Sequence, residues 1–431
     1  MLFPQHKEKY TDVILANYLD EIYFDEWRKD NKSLTIEIMI NAKCNLNCKY
    51  CYYTAFGDVL VPSTIDETNI PMNVDNLLGY LHKNQIYPNI NIFSGEPFEQ
   101  DISFIIIDKI LDFYAKNPKH DNSLVVPTNF SFISSPEKTK TIRGLINKAK
   151  ANGNIIILSA SFDGKFCDSN RPFKSGFVRD DDWYEDAFAF CKEYGFGFHP
   201  MIYFDHIEKW KDNFLWFQDM MIKHDITDKN LFLLEVRNDG WDKTTINHAY
   251  KFYEFITEYI LKNNETKSIK EIIDNDLHFN VFSIFMSSGK ALSCSYETAL
   301  AIRASDLKIY PCHRLQYPQF EAGQLYIEDD KIQVESKNIE MFIASNHISS
   351  KKHPTCEKCD INELCFGGCL GSQFEIMKDP FISIPSVCAF SHIKLKAVLD
   401  VIQRYGRDGE LLELLDRKCK LQAKTILNKE N

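Results

Sequence analysis

The chain has 431 residues, with 50 lysines and arginines against 61 aspartates and glutamates, which gives a formal net charge of −11. This length allows two or three domains with a substantial core. The negative charge is of the wrong sign for a protein that binds nucleic-acid phosphates, so we expect no nucleic-acid partner. Residues 1–20 lack the apolar run of a signal peptide, and no stretch long enough to span a bilayer occurs, so a cytoplasmic protein without a membrane partner is expected.

The composition includes 13 cysteines, a number that needs a chemical explanation. A chain without a secretion signal is expected in a reducing compartment, where disulfides are rare. The cysteines therefore indicate metal binding rather than a disulfide framework.

Six short apolar runs predict buried strands, and five segments between them carry apolar residues at helical spacing. Repeated strand-helix units predict an α/β fold with a parallel sheet. The predicted strands are Leu34–Ile40, Asn89–Ser94, Ser123–Pro127, Asn154–Ser161, Gly197–Tyr203 and Asn230–Val236. The predicted helices are Asn73–Lys83, Asp101–Lys116, Glu137–Lys150, Asp182–Tyr194 and Asp212–His224.

Three closely spaced cysteines, Cys44, Cys48 and Cys51, follow the first predicted strand. The spacing Cys-x3-Cys-x2-Cys supplies three thiolates, and an iron-sulfur cube with three protein ligands keeps one iron open. Half of a zinc site, or buried thiols without a ligand role, are the alternatives. The motif resembles the signature of the radical S-adenosylmethionine (SAM) enzymes. That resemblance implies a partial (β/α)6 barrel, SAM bound at the open iron of a catalytic cluster, and Tyr50 packed beside the adenine.

Two later strand ends carry further resemblances to this family. Ser94-Gly95-Glu96-Pro97 resembles its Gly-Gly-Glu-Pro motif, in which the glycine lets backbone approach a ligand and the glutamate suits an ammonium group. Ser161 and Asp163, followed by Arg171, resemble a Ser-x-Asp-Gly stretch with a later arginine. Ordinary turns are the alternative reading of both motifs. The resemblance implies that the following residues bind SAM: Tyr50, Ser94, Gly95, Glu96, Pro97, Asn129, Ser161, Asp163 and Arg171.

Seven further cysteines lie between residues 294 and 388, and their order resembles the SPASM domain, which holds auxiliary clusters in many radical SAM enzymes. The family often has glycine five residues before its second cysteine, where this chain has Leu307. A zinc ribbon could use the central quartet but would leave three cysteines unexplained. The resemblance implies two auxiliary 4Fe-4S clusters, hence three clusters in all. One would be held by Cys356, Cys359, Cys365 and Cys388, and the other by Cys294, Cys312 and Cys369.

Two clusters need eight ligands, and this segment offers seven cysteines. A substrate thiolate, His313, water or a distant cysteine could complete the second cluster.

The implied domain order is an N-terminal extension at 1–33, the radical SAM partial barrel at 34–241, a helical bridge at 242–290, the SPASM domain at 291–392 and C-terminal helices at 393–431.

The resemblance implies an oxidoreductase that abstracts hydrogen from a ribosomally made precursor peptide and forms a crosslink, with a thioether as one candidate bond. His313 follows the second SPASM cysteine, where sulfatase-maturing relatives have an aspartate base, so it is a catalytic candidate. Oxidation of a sulfatase Cys or Ser to formylglycine is the alternative reaction. A non-catalytic iron-sulfur electron carrier is the other class. A flavodoxin- or ferredoxin-type electron donor is an expected partner. For recognition of the substrate, a separate leader-peptide recognition protein, a peptide bound directly at the barrel mouth and a different substrate class are the alternatives.

Overall fold

The computed structural model describes residues 35–53, 67–83, 87–116, 122–274, 279–286, 299–321, 323–328, 331–336, 354–365 and 368–428. The chain divides into two compact units. The first unit contains residues 1–47, 51–159 and 295–347, and the second contains residues 48–50, 160–294 and 348–431. The predicted N-terminal extension and Cys294 lie outside the described residues.

The first unit is built on a sheet in which the N-terminal strand has neighbours on both sides. Thr35 of β1 lies opposite Asn89 of β2 on one side and Ala299 of β8 on the other, and both pairings are parallel. The later strands β9, β10 and β11 continue the sheet with antiparallel pairing. The strand order in this unit is β11-β10-β9-β8-β1-β2-β3-β4. The bounds are β1 Thr35–Met39, β2 Asn89–Phe93, β3 Ser123–Thr128, β4 Ile155–Ala160, β8 Ala299–Arg303, β9 Lys308–Tyr310, β10 Gly323–Glu328 and β11 Lys331–Ser336.

Three amphipathic helices in this unit connect the parallel strands. Helix α2 buries Ile106, Ile110 and Phe113 among other apolar residues. Helix α3 starts where the Ser135 side chain accepts a hydrogen bond from the Lys138 backbone N–H, with a proline at its first position, as expected for a capped start. The bounds are α1 Ile70–Lys83, α2 Asp101–Ala115 and α3 Pro136–Ala151.

The described residues of the second unit form three short strands and most of the helices. Strands β5 and β6 are separated by His199 and Pro200, and proline has no N–H for a ladder bond. β6 and β7 pair in parallel, and an isolated parallel bridge joins Phe198 to Leu231. The bounds are β5 Gly197–Phe198, β6 Met201–Ile202, β7 Leu234–Glu235, α4 Asp181–Tyr194, α5 Trp210–Lys223, α6 Lys243–Asn263, α7 Ile269–Asp274, α8 Ser283–Met286, α9 Pro354–Glu357, α10 Leu370–Met377, α11 Pro385–Arg404, α12 Asp408–Leu414 and α13 Arg417–Leu427.

The two longest helices of the second unit, α6 and α11, pack against each other. Tyr253 of α6 meets Phe390 of α11 edge to face, with ring centroids 5.9 Å apart. Tyr250 donates a hydrogen bond of 2.7 Å from its hydroxyl to Asp400. This pairing anchors α11, which carries Cys388, on α6.

All six predicted strands and all five predicted helices are present, and most bounds differ by one to three residues from the predicted ones. The predicted α/β class is confirmed. The largest difference is at the sixth strand, where the ladder contains only Leu234–Glu235 and the bridge at Leu231. Among the helices described here, none combines the length and the apolar character needed to cross a membrane.

Candidate functional site

The loop after β1 carries the three cysteines of the N-terminal motif. Cys44 and Cys51 belong to the first unit and are partly buried, whereas Cys48 belongs to the second unit and is buried. The backbone N–H of Leu46 donates to the Cys44 sulfur at 3.4 Å. A hydrogen bond of this kind favours a thiolate, so the local backbone fits a metal ligand at this position.

The backbone of the loop after β2 lies directly against the start of the cysteine loop. The N–H of Gly95 donates to the Asn41 carbonyl at 2.9 Å, and the N–H of Glu96 donates to the Lys43 carbonyl at 2.8 Å. A Cβ atom on Gly95 would lie 2.0 Å from the Lys43 carbonyl oxygen. Only glycine therefore permits this contact, which fixes the residue preceding Cys44.

The side chain of Asn41 reinforces the same junction. Its Oδ1 accepts hydrogen bonds from the Ser94 hydroxyl at 3.1 Å, the Gln100 amide at 2.7 Å and the Lys43 N–H at 3.1 Å. Its Nδ2 donates to Glu67 at 3.0 Å. Sequence reasoning did not select Asn41. Its position as the first polar residue after a buried parallel strand was the available signal.

Glu96 connects the loops that follow β2 and β3. Its carboxylate is buried and accepts hydrogen bonds from the Thr128 hydroxyl at 2.7 Å, the Asn129 N–H at 2.6 Å and the Phe98 N–H at 3.1 Å. A carboxylate has about four acceptor positions, so one remains after these three bonds. Burial raises the pKa of Glu96 to about 7.

Asn129 links the β3 loop to the cysteine loop. Its Nδ2 donates to the Asn45 side chain at 2.8 Å, and its Oδ1 accepts from the Ser131 N–H at 2.8 Å. The first unit thus brings together the predicted SAM-binding residues Ser94, Gly95, Glu96 and Asn129 around the residues that flank Cys44.

The raised pKa of Glu96 predicts a specific pH dependence of stability. Its pKa rises from an ordinary value of 4.5 to about 7, so the folded protein holds this proton more tightly than the unfolded chain. The resulting stabilisation is complete below the unfolded pKa and is lost as the pH rises through about 7. Because glutamine has no such proton, we expect the melting temperature of wild type to fall relative to that of Glu96→Gln between about pH 5 and 8.

Thermal melting followed at several pH values measures this difference. Glu99→Gln is the control, because it removes a carboxylate from the same turn that is partly exposed and paired with Lys138. A melting-temperature difference between wild type and Glu96→Gln that is constant across this pH range would contradict the prediction.

In the second unit, Asp163 organises the polar residues at the end of β4. Its carboxylate has no solvent exposure and accepts hydrogen bonds from the Tyr50 hydroxyl at 2.6 Å, the Arg171 Nε at 2.8 Å and the Met201 N–H at 3.0 Å. The Arg171 guanidinium lies over the Tyr50 ring, 5.2 Å from its centroid. Burial raises the pKa of Tyr50 well above its usual value, so its hydroxyl remains a donor. Tyr50, Asp163 and Arg171 are all predicted SAM-binding residues, and the hydrogen bonds to Asp163 join them into one cluster.

His313 lies against the centre of β1 in the first unit. Both its backbone N–H, at 2.9 Å, and its Nδ1, at 3.1 Å, contact the same Oε2 atom of Glu37. Its ring stacks on Phe93 with centroids 3.8 Å apart and an angle of 6° between the planes. Burial raises the pKa of Glu37, but the neighbouring His313 outweighs burial and the net shift is downward. Glu37 is therefore a carboxylate that fixes the histidine ring.

The residues that follow Cys51 contact those that follow Cys312. The rings of Tyr52 and His313 have centroids 6.0 Å apart, and the Arg314 guanidinium lies 5.2 Å from the Tyr52 ring centroid. The Gln316 amide donates to the Tyr53 hydroxyl at 3.0 Å. These contacts hold the segment that follows Cys312 beside the residues that follow Cys51.

Leu307, which stands where the family often has glycine, adopts a left-handed backbone conformation with φ of 56°. This conformation is unfavourable for leucine, but its side chain is buried and the turn into β9 forms. β9 then ends at Tyr310, two residues before Cys312.

One pocket in the second unit is lined by five of the predicted cluster ligands. It has a volume of about 530 Å³, including space open to solvent, and His392 lines it as well. Burial raises the pKa of Cys388 to about 11, so a bound cation is needed for a thiolate there at neutral pH. The cysteines in this pocket are Cys356, Cys359, Cys365, Cys369 and Cys388. Soft thiolate donors in this number fit an iron-sulfur cluster.

Glu235, at the end of β7, forms a buried ion pair within the second unit. Its carboxylate pairs with Lys394, and the Tyr253 hydroxyl donates to it at 2.8 Å. The Glu235 and Lys394 side chains are only 12% and 10% exposed. Arg237, two residues later, lines the cysteine pocket.

The three remaining cysteines are all buried, at Cys167, Cys191 and Cys419. Burial raises the pKa of Cys167 and of Cys191 well above the usual thiol value. A buried thiol with a raised pKa is unreactive, so packing accounts for Cys191.

Comparison with known proteins defines the class of fold. No family model and no curated protein matches the chain, but solved structures do. The chain has the fold of radical SAM proteins, as the motif resemblance implied.

The structure of His6-tagged anSMEcpe with bound AdoMet matches with a TM-score of 0.58 and 16% identity over 91% of this chain and 98% of that one. Native anSMEcpe, an anaerobic sulfatase-maturating enzyme, with AdoMet and a bound peptide matches with a TM-score of 0.56 and 15% identity over 87% of this chain and 99% of that one. SuiB from Streptococcus suis bound to S-adenosylmethionine matches with a TM-score of 0.45 and 16% identity, over 84% and 80% of the two chains. At 15–16% identity, the likeness to the two anSMEcpe structures establishes the fold alone.

Proposed function

We propose that this protein is a radical SAM enzyme that modifies a peptide or protein substrate. The observation that carries the proposal is the backbone contact of Gly95 with Lys43, which places a Gly-Glu-Pro loop directly against a Cys-x3-Cys-x2-Cys loop. The likeness in fold to anSMEcpe with bound AdoMet supports it. An electron carrier would need the cysteines but not this contact.

Cys44, Cys48 and Cys51 would hold a 4Fe-4S cluster, and SAM would occupy its open iron. When bound, these cofactors supply the one-electron chemistry that removes a hydrogen atom from an unactivated position. The protein's contribution is to bind and orient SAM. Glu96 retains acceptor capacity for an ammonium group, and Arg171, held by Asp163, would supply a cation for the SAM carboxylate.

The other SAM-binding residues act through position. Tyr50 offers an aromatic face, and Ser94 and Pro97 flank the two residues that contact the cysteine loop. Asn129 fixes the β3 loop, and Ser161 extends from the end of β4 with a partly exposed side chain.

The C-terminal cysteines would hold two auxiliary 4Fe-4S clusters. The pocket with Cys356, Cys359, Cys365 and Cys388 supports the first of them, and its ligand set is complete without Cys369. Cys369 would then serve the second cluster together with Cys312 and Cys294. An auxiliary cluster can accept the electron that substrate oxidation releases.

His313 is our candidate for the residue that takes a proton from the substrate. Glu37 accepts the hydrogen bond from Nδ1, so Nε2 is the nitrogen of a neutral ring that can accept a proton. Stacking on Phe93 keeps the ring in this orientation. Glu37 is thus a positioning residue for His313.

The substrate we propose is a ribosomally made precursor peptide, and the reaction forms a crosslink, with a thioether as one candidate bond. The bound peptide in the anSMEcpe structure supports a peptide substrate. Formylglycine formation on a sulfatase is the second candidate, which the same likeness favours. A flavodoxin- or ferredoxin-type donor would supply electrons, and a separate protein could present the leader peptide.

Reductive cleavage of SAM tests the enzyme class. After anaerobic reconstitution with iron and sulfide, and with dithionite as reductant, we expect wild type to release 5′-deoxyadenosine from SAM. The variant in which Cys44, Cys48 and Cys51 are alanine should match a protein-free control, because it cannot hold the SAM-binding cluster. Cys191→Ala, which removes a buried thiol of α4, is the matched control and should cleave SAM. Bound clusters without SAM cleavage in wild type would overturn the proposal in favour of an electron carrier.

Mass spectrometry of candidate substrates separates the two reactions. A loss of two hydrogens from a Cys-containing precursor peptide supports crosslinking, whereas conversion of cysteine to formylglycine in a sulfatase peptide supports the alternative. In either reaction His313→Ala should continue to cleave SAM and should lose most of the modified peptide.

A further inference from the structure

His392 is a polar residue of the cysteine pocket that the proposed ligand set does not use. It lies on α11, one helical turn after Cys388, and both residues line the pocket. Its Nε2 atom is 3.4 Å from the Sγ atom of Cys359. The histidine therefore contacts the sulfur of one proposed ligand from the helix that carries another.

The other ring nitrogen of His392, Nδ1, lies near the carboxylate of Asp360. Nδ1 of His392 is 3.6 Å from Oδ1 of Asp360, the residue directly after Cys359. This separation is too long for a direct hydrogen bond but short enough for electrostatic attraction. The consecutive residues Cys359 and Asp360 thus hold both nitrogens of a single imidazole ring, which restricts its rotation.

The chemistry of a metal-bound thiolate determines which group donates the hydrogen bond between His392 and Cys359. Cysteine bound to iron has no proton to give, so it can only accept a hydrogen bond. The contact with His392 is then attractive when Nε2 carries the proton. Asp360 is too distant from Nδ1 to compel the opposite tautomer.

We infer that His392 donates a hydrogen bond to the iron-bound thiolate of Cys359 and raises the reduction potential of that auxiliary cluster. This inference rests on the proposed function only in that Cys359 must be a cluster ligand. The reduced cluster has one more negative charge than the oxidised cluster, so a donor to its sulfur ligand stabilises the reduced form more. The cluster would accept an electron more readily with the histidine present.

A redox titration followed by electron paramagnetic resonance tests this inference. The titration uses full-length protein in which Cys44, Cys48 and Cys51 are alanine, so that only the auxiliary clusters give signals. Cys359→Ala in this background identifies the signal of the cluster in question. His392→Leu removes the donor and keeps an apolar side chain of similar bulk, whereas His392→Gln retains an N–H donor. His248→Leu, at a partly exposed position of α6, is the control.

We expect His392→Leu to lower the ratio of reduced to oxidised cluster about tenfold at the wild-type midpoint, which corresponds to about 59 mV for a one-electron couple. His392→Gln should recover most of that shift, and His248→Leu should show none. Iron content should remain that of the parent in all three. An unchanged midpoint in His392→Leu would overturn the inference, and so would loss of iron, because His392 would then be a ligand. If instead Cys359→Ala removes no signal, Cys359 is not a cluster ligand. The proposed cluster assignment then fails, and the inference about His392 fails with it.

Discussion

We expect Gly95→Ala to abolish SAM cleavage and to lower the stability of the first unit. The added Cβ would lie 2.0 Å from the Lys43 carbonyl oxygen and 2.6 Å from that of Ala42. Both atoms belong to the backbone, so no side-chain rotation relieves the overlap. The two loops must separate, and the hydrogen bonds from Gly95 and Glu96 to the cysteine loop would lengthen or break.

Overpacking typically costs about 1–3 kcal/mol and occasionally more, and rigid backbone places Gly95→Ala at the upper end of this range. We expect a larger effect on activity than on stability, because Lys43 directly precedes Cys44, the first proposed cluster ligand. We expect 5′-deoxyadenosine production at background level and less iron per protein than in wild type.

Gly144→Ala is the matched control for this substitution. Gly144 lies inside α3, and a Cβ atom there would have no atom within 4 Å. Alanine in a helix interior should stabilise by up to about 1 kcal/mol, so the melting temperature should rise slightly with SAM cleavage intact. If Gly95→Ala retained wild-type iron and wild-type SAM cleavage, the contact would not position the cysteine loop.

We expect Lys394→Met to destabilise the second unit by about 3–5 kcal/mol, because it leaves the buried carboxylate of Glu235 without its cation. Burial raises the pKa of Glu235, but the charge of Lys394 outweighs burial and the net shift is downward. A lowered carboxyl pKa stabilises the folded protein above the ordinary value and loses that effect as the pH falls. The wild-type advantage over Lys394→Met should therefore shrink in acid.

The double variant Glu235→Gln with Lys394→Met shows whether the destabilisation comes from losing the ion pair or from leaving an unpaired carboxylate buried. It removes both charges, and its melting temperature should recover most of the difference. Lys262→Met is the control, because Lys262 pairs at 2.9 Å with Glu258 on the surface, where such pairs contribute at most about 1 kcal/mol. Equal melting temperatures for Lys394→Met and Lys262→Met would show that the buried pair is not important for stability.

The helices and strands that could be predicted from the sequence are those whose own residues indicate where they are buried and where they end. The run Thr35–Met39 is buried at every position after Thr35, as parallel strands are, and its bounds agree with the prediction to within one residue. Helix α4 likewise starts at a capping Asp180 and ends at Gly195, which has a φ of 73°. Such signals are local, and a single sequence contains them.

Features that depend on distant partners could not be predicted in this way. Glu37 is a charged residue in the middle of an apolar strand, and its partner His313 is 276 positions later. The pairing of β1 with β8 is similarly remote, because nothing in Ala299–Arg303 specifies which strand it will join. His313 itself was found from its place after Cys312, whereas its fixation by Glu37 required the structure.

The cysteine pocket could be predicted from the sequence only in part. Spacing identified all five of its cysteines, but spacing cannot indicate which other side chains surround them. His392 is one turn from Cys388 on a helix, which suggests a shared face, yet its contact with Cys359 depends on how α11 packs.

The parallel pairing of β1 with β8 has a consequence for biosynthesis. One edge of β1 stays open on the ribosome until residue 303 has been translated, because its neighbour on that side is Ala299–Arg303. Unpaired strand edges attract other chains, so a nascent or truncated polypeptide would be prone to aggregate. Efficient recombinant production should therefore depend on chaperone supply during elongation.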